Sequence, residues 1–307
     1  MDRFLTLMQR EWLQHRTGWL VLMAAPTALM ALLTQFEGRG MQVRIDGESA
    51  SMPPMDQLPL VLQTMGWTFA TVMLSLVLVV LAVLAQMPGL ARRDVQDRSI
   101  EFWLSLPTSH AQSLGATLLM HLLLLPALAL SAALLGAQAV AMLAIVSHQG
   151  FGAWLQQPWW QLLPTLLVVA LRIWLGLLLA VAWLSPLLLV TLAASAWLKR
   201  WAIPVVSAVL LLGVHWLDPR LAVPLVKPAL ARLMDEAGAA LLASRAFVDV
   251  HLTGPRDLAD LMPALSGLLL RDALAILGRA TAPAFALALL LSAAGFSLLV
   301  LRRQRNG

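Results

Sequence analysis

The sequence predicts an all-α integral membrane protein: six transmembrane helices preceded by an N-terminal amphipathic interfacial helix. Three observations carry this. Soluble domains are about 25% charged, whereas this chain is 12% charged and 60% hydrophobic, with a mean hydropathy of +0.81. Several apolar runs reach the roughly 20 residues that cross a bilayer core. Lys and Arg gather at the ends of those runs, where they set orientation, so the net charge of +5 gives no argument for nucleic acid. The length of 307 residues suits one membrane domain. With no Cys in the chain, disulfides and thiolate metal sites are excluded.

In chain order, residues 2–17 read as the interfacial helix. Phe4, Met8 and Trp12 recur at i+4 with Leu5 beside them, while Arg3, Gln9, Arg10, Gln14 and Arg16 lie elsewhere on the wheel. Charges run throughout this stretch and no small-residue cleavage site follows, so it does not read as a removable signal peptide. Span one runs from about Gly18 to Phe36, with Pro26 tolerable inside a membrane helix. Residues 37–63 are a polar loop rich in Gly and Pro. Span two runs from about Thr64 to Met87. Span three, about Gly115 to Val146, is longer than a bilayer needs, and Pro126 and Gly136 are positions for a bend. In the loop 147–160, Trp154, Trp159 and Trp160 resemble an interfacial aromatic belt.

Span four, about Gln161 to Trp197, contains Pro164, Arg172 and Pro186 and is ended by Lys199 and Arg200. Span five, about Ala202 to Leu217, is short and stopped by Asp218–Pro219. Residues 218–280 read as two or three amphipathic helices on the membrane face, too apolar for a freely solvated domain. The last span is about Thr281 to Leu301.

Counting basic residues in the flanks places both termini, residues 88–114 and Lys199–Arg200 in the cytoplasm, since the two short opposite loops hold only Arg39 and Arg44. The 218–280 segment is then extracytoplasmic. Its seven basic residues are balanced by seven acids, and it is long enough for loop charge to stop deciding topology.

The interval 88–114 is polar and charged between two apolar runs. Arg92, Arg93, Asp94, Asp97, Arg98 and Glu101 are followed by Phe102, Trp103, Leu104 and Leu106, and Pro107 cuts the run off. Charges followed by an aromatic cluster suit a protein-binding surface, and equally an amphipathic loop lying on the membrane. No phosphate-cradling G-x-x-x-x-G-K-[ST], HExxH or GxSxG motif is present, so no catalytic residue is assigned. The six His residues show no metal-ligand spacing, and His121 and His215 read as packed or interfacial.

The run Asp97-Arg98-Ser99-Ile100-Glu101-Phe102-Trp103-Leu104-Ser105-Leu106-Pro107-Thr108-Ser109, followed by Gly115, resembles the ABC-2-type (type V) ABC transporter permease family. Members carry an acidic residue, a small residue, hydrophobic-Glu, then L-L-S-L-P-V-S-R, then Gly-Lys opening the third span. The N-terminal helix, the six spans and the position between spans two and three also look like that family, although sequence-level likeness sits in about twenty residues. His110 stands where the family has Arg, Ala116 replaces its Lys, and the segment between spans five and six is unusually long and apolar.

The resemblance implies a cytoplasmic coupling helix between spans two and three. It implies two cytoplasmic ATPase subunits, which bring ATP and Mg while this chain holds no cofactor. It also implies a second permease copy, as a homodimer or with a related permease. In that reading Asp94, Asp97, Arg98 and Glu101 make polar contacts with an ATPase. Ile100, Phe102, Trp103, Leu104 and Leu106 supply the apolar side of the coupling segment, and Pro107 ends it. The function implied is the permease subunit of an ABC exporter in a bacterial inner membrane, itself not an enzyme.

The alternative is an ABC-2-like subunit that serves maturation or assembly of an extracytoplasmic protein, with 218–280 as the partner site. A secondary transporter would show paired interrupted helices in related halves, and no matching halves are found. Arg172, the charge well inside an apolar run, has two readings: it lines the outer translocation path, or it snorkels or pairs with a carboxylate such as Asp218 or Asp272.

Without native Cys, single cysteines report topology cleanly. Replacements at Ser49, Gln149 and Ser244 should react with an impermeant thiol reagent from outside. Those at Gln96 and Gln304 should react only after the membrane is opened, and outside labelling at Gln96 would refute a cytoplasmic docking segment.

Overall fold

The computed structural model describes residues 3–36, 43–45, 48–50, 58–90, 109–198, 201–242 and 255–306. Six of its helices are long and apolar enough to cross a membrane. The first, α1 (Arg3–Leu33), ends in a short 3-10 turn at Thr34–Phe36. A two-stranded antiparallel ribbon follows, β1 (Val43–Ile45) and β2 (Glu48–Ala50), inside the region expected to be loop alone. Next come α2 (Leu60–Leu90) and α3 (His110–Gln149), the latter widened by a π-turn at Met120–Leu124. A single short turn of helix, α4 (Phe151–Leu155), leads to α5 (Trp159–Leu198).

The fifth apolar helix, α6 (Ala202–Arg220), passes through a second π-turn at Gly213–Leu217 into a 3-10 turn at Asp218–Arg220. Two amphipathic helices, α7 (Val226–Leu241) and α8 (Pro255–Arg279), precede α9 (Pro283–Asn306).

Several boundaries differ from the sequence expectation. The break between an interfacial helix and span one at Gly18 is absent, and α1 is one helix of 31 residues. A lone glycine costs only about 1 kcal/mol in a helix interior. Glu11 and Trp19, at 3% and 1% exposure, pack on either side of it and carry the helix through. The third span starts at His110 rather than Gly115. Ser109 caps it: its hydroxyl accepts from the Gln112 N–H while the Gln112 side chain accepts from the Ser109 N–H, a reciprocal capping box. At 40 residues, α3 is about 60 Å long, twice a bilayer core, so it must tilt or project.

Buried clusters fix how the helices thread. Met87, Leu114, Leu192 and Leu299 meet in one cluster, which joins the end of α2, the start of α3 and the late turns of α5 and α9. Met30, Trp67 and Ala144 meet in another, which joins the end of α1, the start of α2 and the end of α3. Successive long helices therefore alternate in direction. The start of α1, the end of α9 and the ends flanking residues 91–108 share one end of the bundle. The helix α5 touches both halves, through Leu177 with α2 and α3 and through Ala180 and Trp183 with α7, α8 and α9.

The face that α3 turns inward is small: Ala129, Ala133, Ala137 and Ala141 repeat at i+4 and are fully buried. Small residues let helix backbones approach closely where lipid offers no hydrophobic driving force between helices. Gly136 shows how close. A Cβ there would overlap the Thr27 side chain of α1. The outer surface is apolar, with Leu20, Val77, Leu135, Leu167, Val209 and Leu290 exposed, the reverse of a soluble domain.

Gly136→Ala should therefore push α1 from α3 and destabilise the detergent-solubilised protein by about 1–3 kcal/mol, the usual cost of overpacking. Thr27→Ala in the same chain removes two of the three overlapping atoms and should recover part of the lost thermal stability. No recovery would mean that the two helices do not meet here.

Candidate functional site

Two buried polar centres lie in this apolar bundle, one at each end. The first is built on Arg172, 6% exposed in the fourth turn of α5. Its Nε donates to Asp272 Oδ2 of α8 at 2.7 Å. Its Nη1 and Nη2 donate to the carbonyls of Ala240 at 2.6 Å and Ala239 at 3.1 Å. Those carbonyls belong to the last turn of α7, where the backbone has no intrahelical donor left, and a cation there also complements the helix dipole. Gly176 makes room, because a Cβ on it would strike the Ala240 oxygen and Arg172 itself.

Asp218, not a partner of Arg172, closes the other end of α7. Its carboxylate accepts from the N–H groups of Leu225, Val226 and Lys227 at 2.7–2.9 Å. A carboxylate at the N-terminus and a guanidinium at the C-terminus hold α7 at both ends. The Arg279–Glu236 pair adds a third tie from α8 to α7 at 3.3 Å, but it is partly exposed, and such pairs contribute little.

The second centre joins α1, α2 and α3. Glu11 Oε1 accepts from Thr117 Oγ1 at 3.2 Å and lies 3.7 Å from Arg10. Glu11 Oε2 faces His121 Nε2 at 3.3 Å, and His121 Nδ1 meets Gln86 Oε1 at 2.9 Å. His15 meets His121 edge to face at 4.7 Å. His121 stands on the π-turn of α3. Pro126, just beyond, has no N–H to donate, and the wider turn places the histidine inward, where it is 1% exposed. His215, on the other π-turn, is instead exposed, with its ring against the Leu211 carbonyl.

Between the centres runs a stripe of small polar residues on α2. Thr64, Thr68, Thr71 and Ser75 are buried, and the three threonine hydroxyls donate to the carbonyl four residues back, which satisfies them inside the helix. Gln157 reaches Thr64 at 2.6 Å and Gln138 of α3 reaches Thr68 at 3.0 Å. Ser75 Oγ has no partner among the described residues.

Of the sequence-assigned site residues, Asp94, Asp97, Arg98, Ile100, Glu101, Phe102, Trp103, Leu104, Leu106 and Pro107 lie outside the described residues. Arg172 is described, and it makes the ion pair with Asp272 that the second reading of it allows. The Glu11–His121 centre was missed. The signal available for it was Glu11 and His15 at i, i+4 on one helix face; His121, 106 residues beyond His15, carries no local pattern that links it to them. Compared with known protein families, characterised proteins and solved structures, the chain matches none.

Removing one member of a buried ion pair leaves the other uncompensated and costs about 3–5 kcal/mol. Arg172→Leu and Asp272→Leu should each lose that order of stability in detergent, and the double variant should lose much less than their sum. Additive losses would break the pairing.

Proposed function

We propose that this chain is the membrane-spanning permease subunit of an ABC exporter of the ABC-2 class, working in a bacterial inner membrane with both termini cytoplasmic. Two ATPase subunits and a second permease copy complete the assembly. The observation that carries the reading is the D-R-S-I-E-F-W-L-S-L-P-T-S run at 97–109, set between two long apolar helices. Its flanking helix ends, Leu90 and Ser109, emerge at the same end of the bundle as the start of α1 and the end of α9. The chain has no nucleotide-binding motif of its own, and on this reading movement is driven by a separate subunit gripping that interval. Asp94, Asp97, Arg98 and Glu101 provide its charged contacts, and Phe102, Trp103 and Leu106 its anchors.

A second reading keeps the same coupling and changes the cargo: the subunit serves assembly of an extracytoplasmic protein. Leu270, Leu274 and Leu277 favour it. They form an exposed stripe at i, i+4, i+7 on α8, beyond the helices that span.

Co-purification of an ATPase with the tagged full-length chain from native membranes tests the proposal. Trp103→Ala should loosen that complex, since a buried aromatic anchor contributes about 2 kcal/mol or more. Glu101→Ala should lower stimulated ATPase activity with the membrane fold retained. Unchanged co-purification and activity in the Trp103→Ala protein would mean that the tryptophan only sits among lipid headgroups.

A further inference from the structure

We infer that Glu11, His15 and His121 form a binding site for one divalent transition-metal ion of the zinc class. The inference is independent of the transport reading. Each residue offers one ligand atom, and these atoms lie within 4.8 Å of one another. Glu11 and His15 come from adjacent turns of α1, and His121 from the π-turn of α3. A tetrahedral ion with bonds near 2.0–2.1 Å spaces its ligand atoms by about 3.3–3.4 Å. The Glu11 Oε2 to His121 Nε2 distance is 3.3 Å.

The surroundings are arranged for a cation. His121 Nδ1 lies 2.9 Å from Gln86 Oε1; with the proton on Nδ1, Gln86 accepts it and the Nε2 lone pair is available to an ion held beside the Glu11 carboxylate. Outer hydrogen bonds of this kind orient metal-binding histidines and carboxylates. Thr117 and Arg10 address Oε1, and Oε2 is the oxygen nearest the His121 imidazole. Two imidazoles and one carboxylate suit zinc, whereas calcium and magnesium ask for six or more oxygens. Glu11 and His121 are buried and His15 is half-buried, so His15 marks the side of entry and of the fourth, water-held position.

The ion would staple α1 to the helices that flank residues 91–108. Gln86 lies just before the end of α2, and His121 lies in the fourth turn of α3. Zinc would therefore act on stability at that end of the bundle, whatever the chain moves.

The test uses the full-length protein in detergent, stripped with a chelator and titrated first with Zn(II) and then with Co(II). One zinc per chain should remain after dialysis. Cobalt should give the visible absorption of a tetrahedral nitrogen and oxygen site, and zinc should raise the melting temperature. His15→Gln leaves the Glu11–His121–Gln86 contacts in place, so it should fold. It should bind zinc at least about tenfold more weakly, the order of loss seen even for outer-shell partners. His148→Gln, on the exposed end of α3, should bind as the native protein does. The inference is overturned if the native chain retains no stoichiometric zinc, or if the His15→Gln and His148→Gln proteins bind it equally. The Gln86 amide would then be turned about, with His121 Nε2–H donating to Glu11 directly.

Discussion

A guanidinium buried in an apolar helix has to find acceptors for its donors, and Arg172 dictates how the second half of the chain folds back. It finds one carboxylate, Asp272, and two terminal carbonyls, those of Ala239 and Ala240. None of these lies on its own helix. To supply them, α7 must end against α5 and α8 must bring Asp272 inward. The apolar residues next to the pair then close over it: Leu179, Ala180 and Trp183 of α5 meet Ala237, Ala240 and Ile276. Such a pair is weak evidence for net stability, because desolvation offsets most of the attraction. Its effect is on arrangement, since any packing of α7 or α8 that leaves Arg172 unpaired is strongly penalised.

The same rule organises the other end by different means. Glu11 and His121 are less than 4% exposed, and each meets polar groups of another helix. Along α2 between the two ends, the threonines need no distant partner, because each hydroxyl bonds its own helix four residues back. Losing the Gln157 and Gln138 contacts to Thr64 and Thr68 would leave those hydroxyls still donating within α2, whereas Arg172 would lose its acceptors. The two charged centres fix the register, and the alanine face of α3 permits the close contact between them.

What could be read from the sequence follows from whether the governing interaction is local. Apolar length is local, so the six long helices were legible. Helix ends were less so. Gly18 looked like a boundary, but packing by Glu11 and Trp19 overrides a single glycine. Arg172 was legible as costly, and a carboxylate of 218–280, such as Asp218 or Asp272, as its partner in one of two readings. Only the three-dimensional structure separates them, because Asp218 is taken up by the N–H groups that open α7. His121 was read as a packed histidine. It is packed, but its partners Glu11 and Gln86 are 110 and 35 residues away, which no spacing rule reaches.

The position of the Glu11–His121 centre bears on how motion would pass through the bundle. Residues 91–108 leave α2 after Leu90 and rejoin α3 at the capped start marked by Ser109 and Gln112. Gln86 precedes the exit by about one turn of helix, and Thr117 and His121 follow the entry by two to three turns. A load applied to that interval would reach Gln86 and His121 before any deeper contact. Glu11 accepts from Thr117 and lies 3.3 Å from His121 Nε2, so α1 could not stay still while the α2–α3 root moved. On the proposed reading, then, the N-terminal helix is part of the moving unit rather than a passive anchor. The continuity of α1 from Arg3 to Leu33 is what would carry that displacement to the far end, where Thr27 is set against Gly136. A break in the helix at Gly18 would have absorbed it instead.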